Sequence, residues 1–99
     1  MSYADHIDAD RRLSILILLS ESTGYEANEE LLRRLLEDIF AHRVSLDRLR
    51  ADIDWLTEQG LVRHREAGGL RIATLTARGG DVAAGRATVS GVQRPRPSS

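Results

Sequence analysis

The amino-acid sequence predicts a small α+β domain that is mostly helical. Its 99 residues suffice for one domain with a modest core. Apolar residues recur at helical spacing in three segments, which are residues 5–21, 28–40 and 45–59. Two short segments of strand-forming residues then flank Gly68-Gly69, a pair that is typical of a two-residue hairpin turn. Helices, a hairpin and a final helix are therefore the predicted order of elements.

The most regular pattern lies in residues 45–62 and predicts a central helix that leads directly into a strand. Its apolar stripe consists of Leu46, Leu49, Ile53 and Leu56. Ser45 is suited to cap the first turn, since its hydroxyl can accept a free backbone N–H. Gly60 is suited to end the helix, since glycine adopts the left-handed conformation at low cost. Residues 41–44 are the predicted turn of a helix-turn-helix formed with the preceding helix.

Two helices precede the central one. The first is predicted to begin at a cap formed by Asp5 or Asp8, and Gly24 is expected to end it. The second is predicted to begin at an Asn28 cap, with acidic residues in its first turn that favour the positive end of the helix dipole. Residues 25–27, between these helices, are expected to form a short extended piece that closes the sheet.

The hairpin that follows the central helix is called the wing below. Its predicted strands are residues 61–66 and 70–75. The two-residue turn sets a register in which Val62 faces Leu75 and Glu66 faces Arg71.

A last helix is predicted from about residue 76 to residue 86, capped by Thr76, and it completes a domain of residues 1–86. Residues 87–99 are rich in Gly, Pro, Ser and Arg, a composition that predicts a flexible C-terminal tail. Arg94 and Arg96 make that tail basic.

The composition argues against several classes of function. The formal net charge is −1, so no overall basic field favours nucleic acid. The absence of cysteine excludes thiolate catalysis and cysteine-ligated metal sites. No membrane-spanning run or signal peptide is evident, so a cytoplasmic location is expected. The histidines lack metal-ligand spacing, and no nucleophile-elbow or phosphate-loop motif occurs. We therefore predict no enzyme, no metal and no other cofactor.

The central helix and the wing carry residues that are suited to duplex DNA. The residues predicted to face the major groove are Ser45, Arg48, Arg50 and Ala51. The residues predicted to contact phosphates are Arg43 in the turn and Arg63, Arg65 and Arg71 in the wing. The structural alternatives are an ordinary solvated helix face and a simple cross-strand pair between Glu66 and Arg71.

A second hypothesis uses the same helix as a protein-binding surface. Its residues are Asp47, Asp54, Trp55 and Glu58. Acidic side chains suit a basic protein better than phosphate, and tryptophan is enriched among interface hot spots. The structural alternative is that Trp55 packs under the hairpin or the C-terminal helix, because tryptophan is highly buried on average.

Two segments resemble winged helix-turn-helix repressors of bacteria. DWLTEQGLVRHRE resembles their passage from recognition helix to wing, and LRIATLTARGGDVAAG resembles the next strand and the LT-x-x-G start of the following helix. The whole chain, including MSYADHIDADRRL, HRVS and GVQRPRP, also resembles a family of small Mu-like bacteriophage and prophage proteins, which are often called ArsR-type winged-helix regulators. This resemblance implies a small winged-helix domain with a three-helix core.

For function, the resemblance implies a phage regulator or an assembly adaptor. ArsR-type metal sensors use cysteine-rich sites, so metal sensing is not carried over to a chain without cysteine. Our hypothesis is duplex DNA binding by a homodimeric phage or prophage transcriptional regulator. The alternative is a non-enzymatic module that binds phage proteins during assembly or DNA packaging. Val82, Ala83 and Ala84 are the expected dimer surface, unless the last helix docks on its own core.

Overall fold

The computed structural model describes residues 2–97, which form four helices and a three-stranded antiparallel sheet. The helices are α1 (Tyr3–Glu21), α2 (Glu29–Phe40), α3 (Leu46–Glu58) and α4 (Ala77–Ala83). The strands are β1 (Glu26–Asn28), β2 (Val62–Ala67) and β3 (Leu70–Leu75), and a short 3₁₀ turn (Thr23–Tyr25) precedes β1. This order confirms the predicted α+β winged-helix architecture.

The sheet has the strand order β1-β3-β2, so the wing strands β2 and β3 are joined by β1 at the inner edge. Val62 lies opposite Leu75 and Glu66 lies opposite Arg71, which confirms the register predicted from the hairpin turn. Ala27 of β1 pairs with Ala73 of β3. The short extended piece that the sequence predicted before α2 therefore does close the sheet.

Side-chain caps define the starts of the helices. The Ser45 hydroxyl accepts the Arg48 N–H at 3.1 Å at the start of α3, as predicted. The predicted Asn28 and Thr76 caps of α2 and α4 are present as well.

The predicted cap of α1 at Asp5 or Asp8 is wrong. The cap is Ser2, whose hydroxyl accepts the Asp5 N–H at 3.2 Å. The Asp5 carboxylate in turn accepts the Ser2 N–H at 3.1 Å, and this reciprocal pair makes the earlier start favourable. The first helix ends at Glu21 with Ser22 as its C-cap, whereas Gly24, which was expected to end it, lies within the 3₁₀ turn.

The core lies where α1 crosses α2, α3 and the inner face of the sheet. Its fully buried side chains include Ile15, Leu16 and Leu19 of α1, Leu32 and Leu36 of α2, and Leu49, Ile53 and Leu56 of α3. The apolar stripe predicted for the central helix is therefore buried, apart from the half-buried Leu46 at its first turn. This packing leaves the opposite face of α3 directed to solvent.

The chain after α4 returns to the core, which differs from the tail predicted from residue 87. Val92 is buried, and the Gln93 N–H donates to the Ala9 carbonyl of α1 at 3.1 Å. We call residues 87–93 the strap. Arg94 and Arg96 are exposed, and residues 98 and 99 of the predicted tail lie outside the described residues. The predicted last helix is shorter than expected, since it ends at Ala83, two residues before Gly85 with its positive φ of 80°.

Part of the expected dimer surface on α4 packs against the core of its own domain. Val82 is buried against the core of its own chain, whereas Ala83 is half-buried and Ala84 is exposed. No helix in residues 2–97 combines the length and the apolar content that a membrane crossing requires.

Candidate nucleic-acid interface

The N-terminal half of α3 presents a solvent-exposed face. Asp47, Arg48 and Ala51 are exposed on this face, whereas Leu49 and Ile53 point into the core. Ser45 is exposed at the helix start, and its hydroxyl is engaged by the cap. Arg48 has no ion-pair partner within residues 2–97, so its guanidinium group is available to a ligand. This face is small, polar and open, which is what a groove-entering helix requires.

Arg50 is held by a buried carboxylate. Its Nε and Nη2 atoms donate to the two carboxylate oxygens of Glu29 at 2.7 and 2.8 Å. The Glu29 side chain is completely buried at the start of α2, and 37% of the Arg50 side chain remains exposed. These hydrogen bonds from Arg50 lower the pKa of Glu29 to about 2 and raise the pKa of Arg50.

Arg71 is also engaged inside the protein. Its Nη1 atom donates to Asp54 Oδ1 at 2.7 Å and to the Arg50 carbonyl at 3.3 Å. Its backbone N–H donates to Glu29 Oε2 at 3.0 Å. Only 16% of the Arg71 side chain is exposed. Arg50 and Arg71, which the sequence predicts as DNA contacts, are thus both hydrogen-bonded to carboxylates of the protein itself.

The remaining wing arginines lie on the outer face of the sheet. Arg63 and Arg65 are both exposed, opposite Thr74 and Ile72 respectively. Arg65 lies 3.6 Å from a Glu26 carboxylate oxygen, and Arg63 has no ion-pair partner within residues 2–97. Arg65 is 59% exposed, and a surface pair of this length contributes little energy, so a phosphate can compete with Glu26.

Arg43 extends from the turn between α2 and α3. It pairs with Glu37 at 2.9 Å, but 88% of its side chain is exposed. An exposed pair of this kind leaves Arg43 able to rotate toward another anion. Arg43, Arg48, Arg63 and Arg65 are thus the predicted DNA contacts whose guanidinium groups remain accessible.

The residues of the alternative protein-binding surface are not equally accessible. Asp47 and Glu58 are exposed. Asp54 is neutralised by Arg71 and lies 3.6 Å from His64 Nε2. Trp55 is half-buried and packs against the core.

Trp55 is covered by the strap and by α1. The guanidinium carbon of Arg12 lies 4.1 Å from the centroid of the indole ring, in a cation–π arrangement. Arg12 Nη1 donates to the Gly91 carbonyl at 3.1 Å. Gly91 approaches the ring so closely that an added Cβ would lie 2.7 Å from Trp55 Cζ2. The ring is therefore part of an internal junction.

A buried ion pair behind α3 was not predicted from the sequence. Arg11 of α1 donates through Nε to Asp52 Oδ2 and through Nη2 to Asp52 Oδ1, the latter at 3.0 Å. Asp8 accepts from Arg11 at 2.8 Å, and these carboxylates raise the pKa of Arg11. The helical spacing of the sequence did indicate that Asp52 is buried. Residue 52 lies three positions after Leu49 and four before Leu56, and so it falls on the buried stripe. This pair fixes α3 to α1 on the side away from the wing.

Within residues 2–97 no group of His, Asp or Glu side chains is arranged to hold a metal ion. The candidate site therefore consists of arginine side chains and one exposed helix face. Guanidinium groups of this kind can donate hydrogen bonds to phosphates and to base edges.

Comparisons with solved structures place the fold in the winged-helix class, and these neighbours include a transcriptional regulator. RosR of H. salinarum is 27% identical, with a TM-score of 0.66, over 75% of this chain and 66% of that chain. Sco5413, a MarR family transcriptional regulator from Streptomyces coelicolor, is 27% identical, with a TM-score of 0.63, over 74% of this chain and 47% of that chain. The chain thus spans two thirds or less of these neighbours. They do not confirm the ArsR-type name.

The chain belongs to the family of uncharacterized protein gp26 of Escherichia phage Mu. It is 50% identical to that protein over 93 residues, which cover 94% of this chain and 95% of gp26. A protein of Haemophilus influenzae strain Rd is 40% identical over 79 residues, which cover 79% of this chain and 76% of that protein. No protein-family model matches the chain. The predicted resemblance to Mu-like phage proteins is thereby confirmed.

Proposed function

We propose that the protein binds duplex DNA through α3 and the wing, and that it acts as a phage or prophage transcriptional regulator. The observation that carries this proposal is Arg48, which is exposed in the first turn of α3 and has no ion-pair partner within residues 2–97. It stands beside the small side chain of Ala51, which leaves room for a base edge. The likeness to a MarR family transcriptional regulator supports the same function.

In this proposal the accessible arginines divide into two roles. Arg48 reads a base, because a guanidinium group can donate two hydrogen bonds to guanine in the major groove. Arg63 and Arg65 of the wing and Arg43 of the turn contact phosphates, which position the protein without reading sequence. Arg50 and Arg71 act through the protein, since both are bound to buried or neighbouring carboxylates.

The acidic residues of α3 oppose DNA binding less strongly than the sequence alone suggests. Asp54 is paired with Arg71, which compensates its charge. Asp52, also on α3, is buried and paired with Arg11. The alternative function, a module that binds phage proteins, loses support because its proposed anchor, Trp55, is partly covered by Arg12 and Gly91.

A homodimer is part of the proposal. A single module with four accessible arginines would bind DNA weakly, because affinity at physiological salt depends on the number of phosphates neutralised. Two copies on adjacent half-sites would double those contacts. Sedimentation of the free protein and of its DNA complex gives the stoichiometry.

The test is a salt series of binding titrations with random duplex DNA and with DNA from the region around the protein's own gene. We expect log K to fall linearly with log salt and affinity to be higher for one fragment. Arg48→Ala should cost about 1–3 kcal/mol on the preferred fragment and little on random DNA. Arg63→Ala or Arg65→Ala should weaken both duplexes alike and make the salt slope shallower by about 1.

Arg86→Ala is the matched control, because it removes one arginine beyond α4 that is paired with Asp81. It should leave both affinity and salt slope unchanged. If the folded wild-type protein binds neither duplex at low salt, the proposal is refuted. If Arg48→Ala and Arg86→Ala behave alike, base recognition by α3 is refuted.

A further inference from the structure

Four charged side chains join the three elements that form the proposed DNA surface. Glu29 begins α2, Arg50 and Asp54 lie on α3, and Arg71 lies on β3 of the wing. Glu29 accepts two hydrogen bonds from the Arg50 side chain and one from the Arg71 backbone. Arg71 reaches back to Asp54 and to the Arg50 carbonyl. We call these four residues the junction.

Glu29 is the centre of the junction. Its side chain has no exposure to solvent, so its charge is tolerated only because nearby donors satisfy it. The strand pairing of β1 with β3 ends at Asn28, opposite Ile72. The next N–H of β3, that of Arg71, is taken by the Glu29 carboxylate. One carboxylate thereby connects the backbone of the wing to a side chain of α3.

We propose that Glu29 is a positioning residue that fixes the wing against α3, and that it sets the affinity for specific DNA without touching DNA. This inference rests on the proposed function. A protein whose two contacting elements already have the bound orientation loses less conformational entropy on binding. Without the Glu29 carboxylate, the wing keeps its hairpin and its Arg71–Asp54 pair, but it loses the charged link between its backbone and Arg50 of α3.

Asp52 provides a matched control for the proposed role of Glu29. It is also a buried carboxylate, it lies on α3, and it also accepts two hydrogen bonds from one arginine. Its partner, however, is Arg11 of α1, on the side of α3 away from the wing. Glu29→Gln and Asp52→Asn therefore each remove a buried carboxylate that is paired with arginine, but only Glu29→Gln removes a link between the wing and α3.

The first measurement is amide hydrogen exchange of the free protein, which does not depend on DNA. Glu29→Gln should speed exchange in residues 62–75 relative to the core helices, starting with the Arg71 N–H. Asp52→Asn should leave the wing at its wild-type rate relative to the same helices. Equal wing exchange in the two variants would overturn the proposal.

The second measurement is the salt series on the preferred duplex. Glu29→Gln should weaken binding by about threefold to tenfold, which corresponds to the cost of ordering a few groups on association. The salt slope should stay as steep as in the wild type, because no phosphate contact is removed. Asp52→Asn should retain wild-type affinity. Wild-type affinity of Glu29→Gln, or a shallower slope, would overturn the proposal.

Failures of the two proposals are distinguishable. If the wild type binds no duplex, DNA binding is refuted, while the exchange comparison still decides whether Glu29 holds the wing. If Glu29→Gln fails to fold, Glu29→Asp serves in its place, because it keeps the charge on a shorter arm. Glu29→Asp should show faster wing exchange and weaker binding to the preferred duplex, both to a smaller extent than Glu29→Gln. Wild-type behaviour of Glu29→Asp in both measurements would overturn the proposal.

Discussion

Gly79 and Gly80 are neighbouring residues of α4, but only Gly80 has room for a side chain. A Cβ at Gly79 would overlap the Leu61 carbonyl oxygen and would lie 2.7 Å from Leu75 Cδ1. A Cβ at Gly80 would meet only Leu75 Cδ2 at 3.8 Å, which is ordinary contact. Sequence alone treats both glycines as weaknesses in a helix. The structure explains Gly79 as the point where α4 contacts the chain at the start of the wing.

Alanine substitutions at these two glycines should therefore change stability in opposite directions. Gly79→Ala should destabilise the protein by about 1–3 kcal/mol, because backbone atoms must move apart. Gly80→Ala should stabilise it by about 0.5–1 kcal/mol, because alanine loses less backbone entropy in a helix. Urea unfolding of the two variants measures both changes. Equal midpoints would contradict the packing described for α4.

At the scale of elements, the strap is the part that joins the two ends of the chain. It contacts α1 through Arg12 and Ala9 and contacts α3 through Trp55. Gly91 adopts a φ of 97° beside the indole ring. These contacts make the strap a structural component of the helical core, although its composition resembles that of a loose tail.

Gly91→Ala tests the strap, and Gly68→Ala at the tip of the wing is its control. Both glycines have positive φ, so both substitutions carry a backbone cost of about 1–2 kcal/mol. Only Gly91→Ala adds an overlap with Trp55, since nothing lies within 4 Å of a Cβ at Gly68. Gly91→Ala should be the less stable variant and should change the fluorescence of Trp55, the only tryptophan. An unchanged emission spectrum would show that the strap does not cover the ring.

The elements that the sequence predicted correctly are those with local signals. The starts of α2, α3 and α4 follow from Asn28, Ser45 and Thr76, each within three residues of the N–H that it caps. The hairpin register follows from two glycines. The strap could not be predicted in this way, because its position depends on the contact between Gln93 and Ala9, at opposite ends of the chain.

At the scale of the whole molecule, long-range ion pairs decide which arginines are available. The sequence identified the surface-exposed Arg48 and Arg63 from helix and strand periodicity. It could not show that Arg50 and Arg71 are ion-paired, since their partners Glu29 and Asp54 are 21 and 17 residues away along the chain. From the sequence, Glu29 was expected only to interact favourably with the positive end of the α2 dipole. The fold converts it into the fixed centre of the junction, with a consequence for acid stability.

The stability of the whole domain should depend on pH through Glu29. Its pKa is about 2 in the folded protein, below the ordinary value of 4.5, chiefly because Arg50 donates to it. Between these values the unfolded chain binds a proton that the folded chain does not, so the free energy of unfolding decreases as pH falls from about 4.5 toward 2. Above about pH 4.5 this stabilisation is fully present.

Glu29→Gln should remove this dependence along with the ion pair. At neutral pH the variant should be less stable than the wild type by about 1.5–3 kcal/mol, the usual contribution of hydrogen bonds to a charged group. The difference in the free energy of unfolding should shrink as pH falls below about 4.5. The wild type then loses the stabilisation provided by the ionised Glu29, which the variant lacks at every pH. Urea midpoints measured from pH 7 to pH 3 give both curves. Glu58→Gln, at an exposed carboxylate on α3, should follow the wild type throughout. Parallel curves for Glu29→Gln and the wild type would mean that Glu29 and Arg50 do not form this pair in solution, and the basis for a fixed wing would be lost with it.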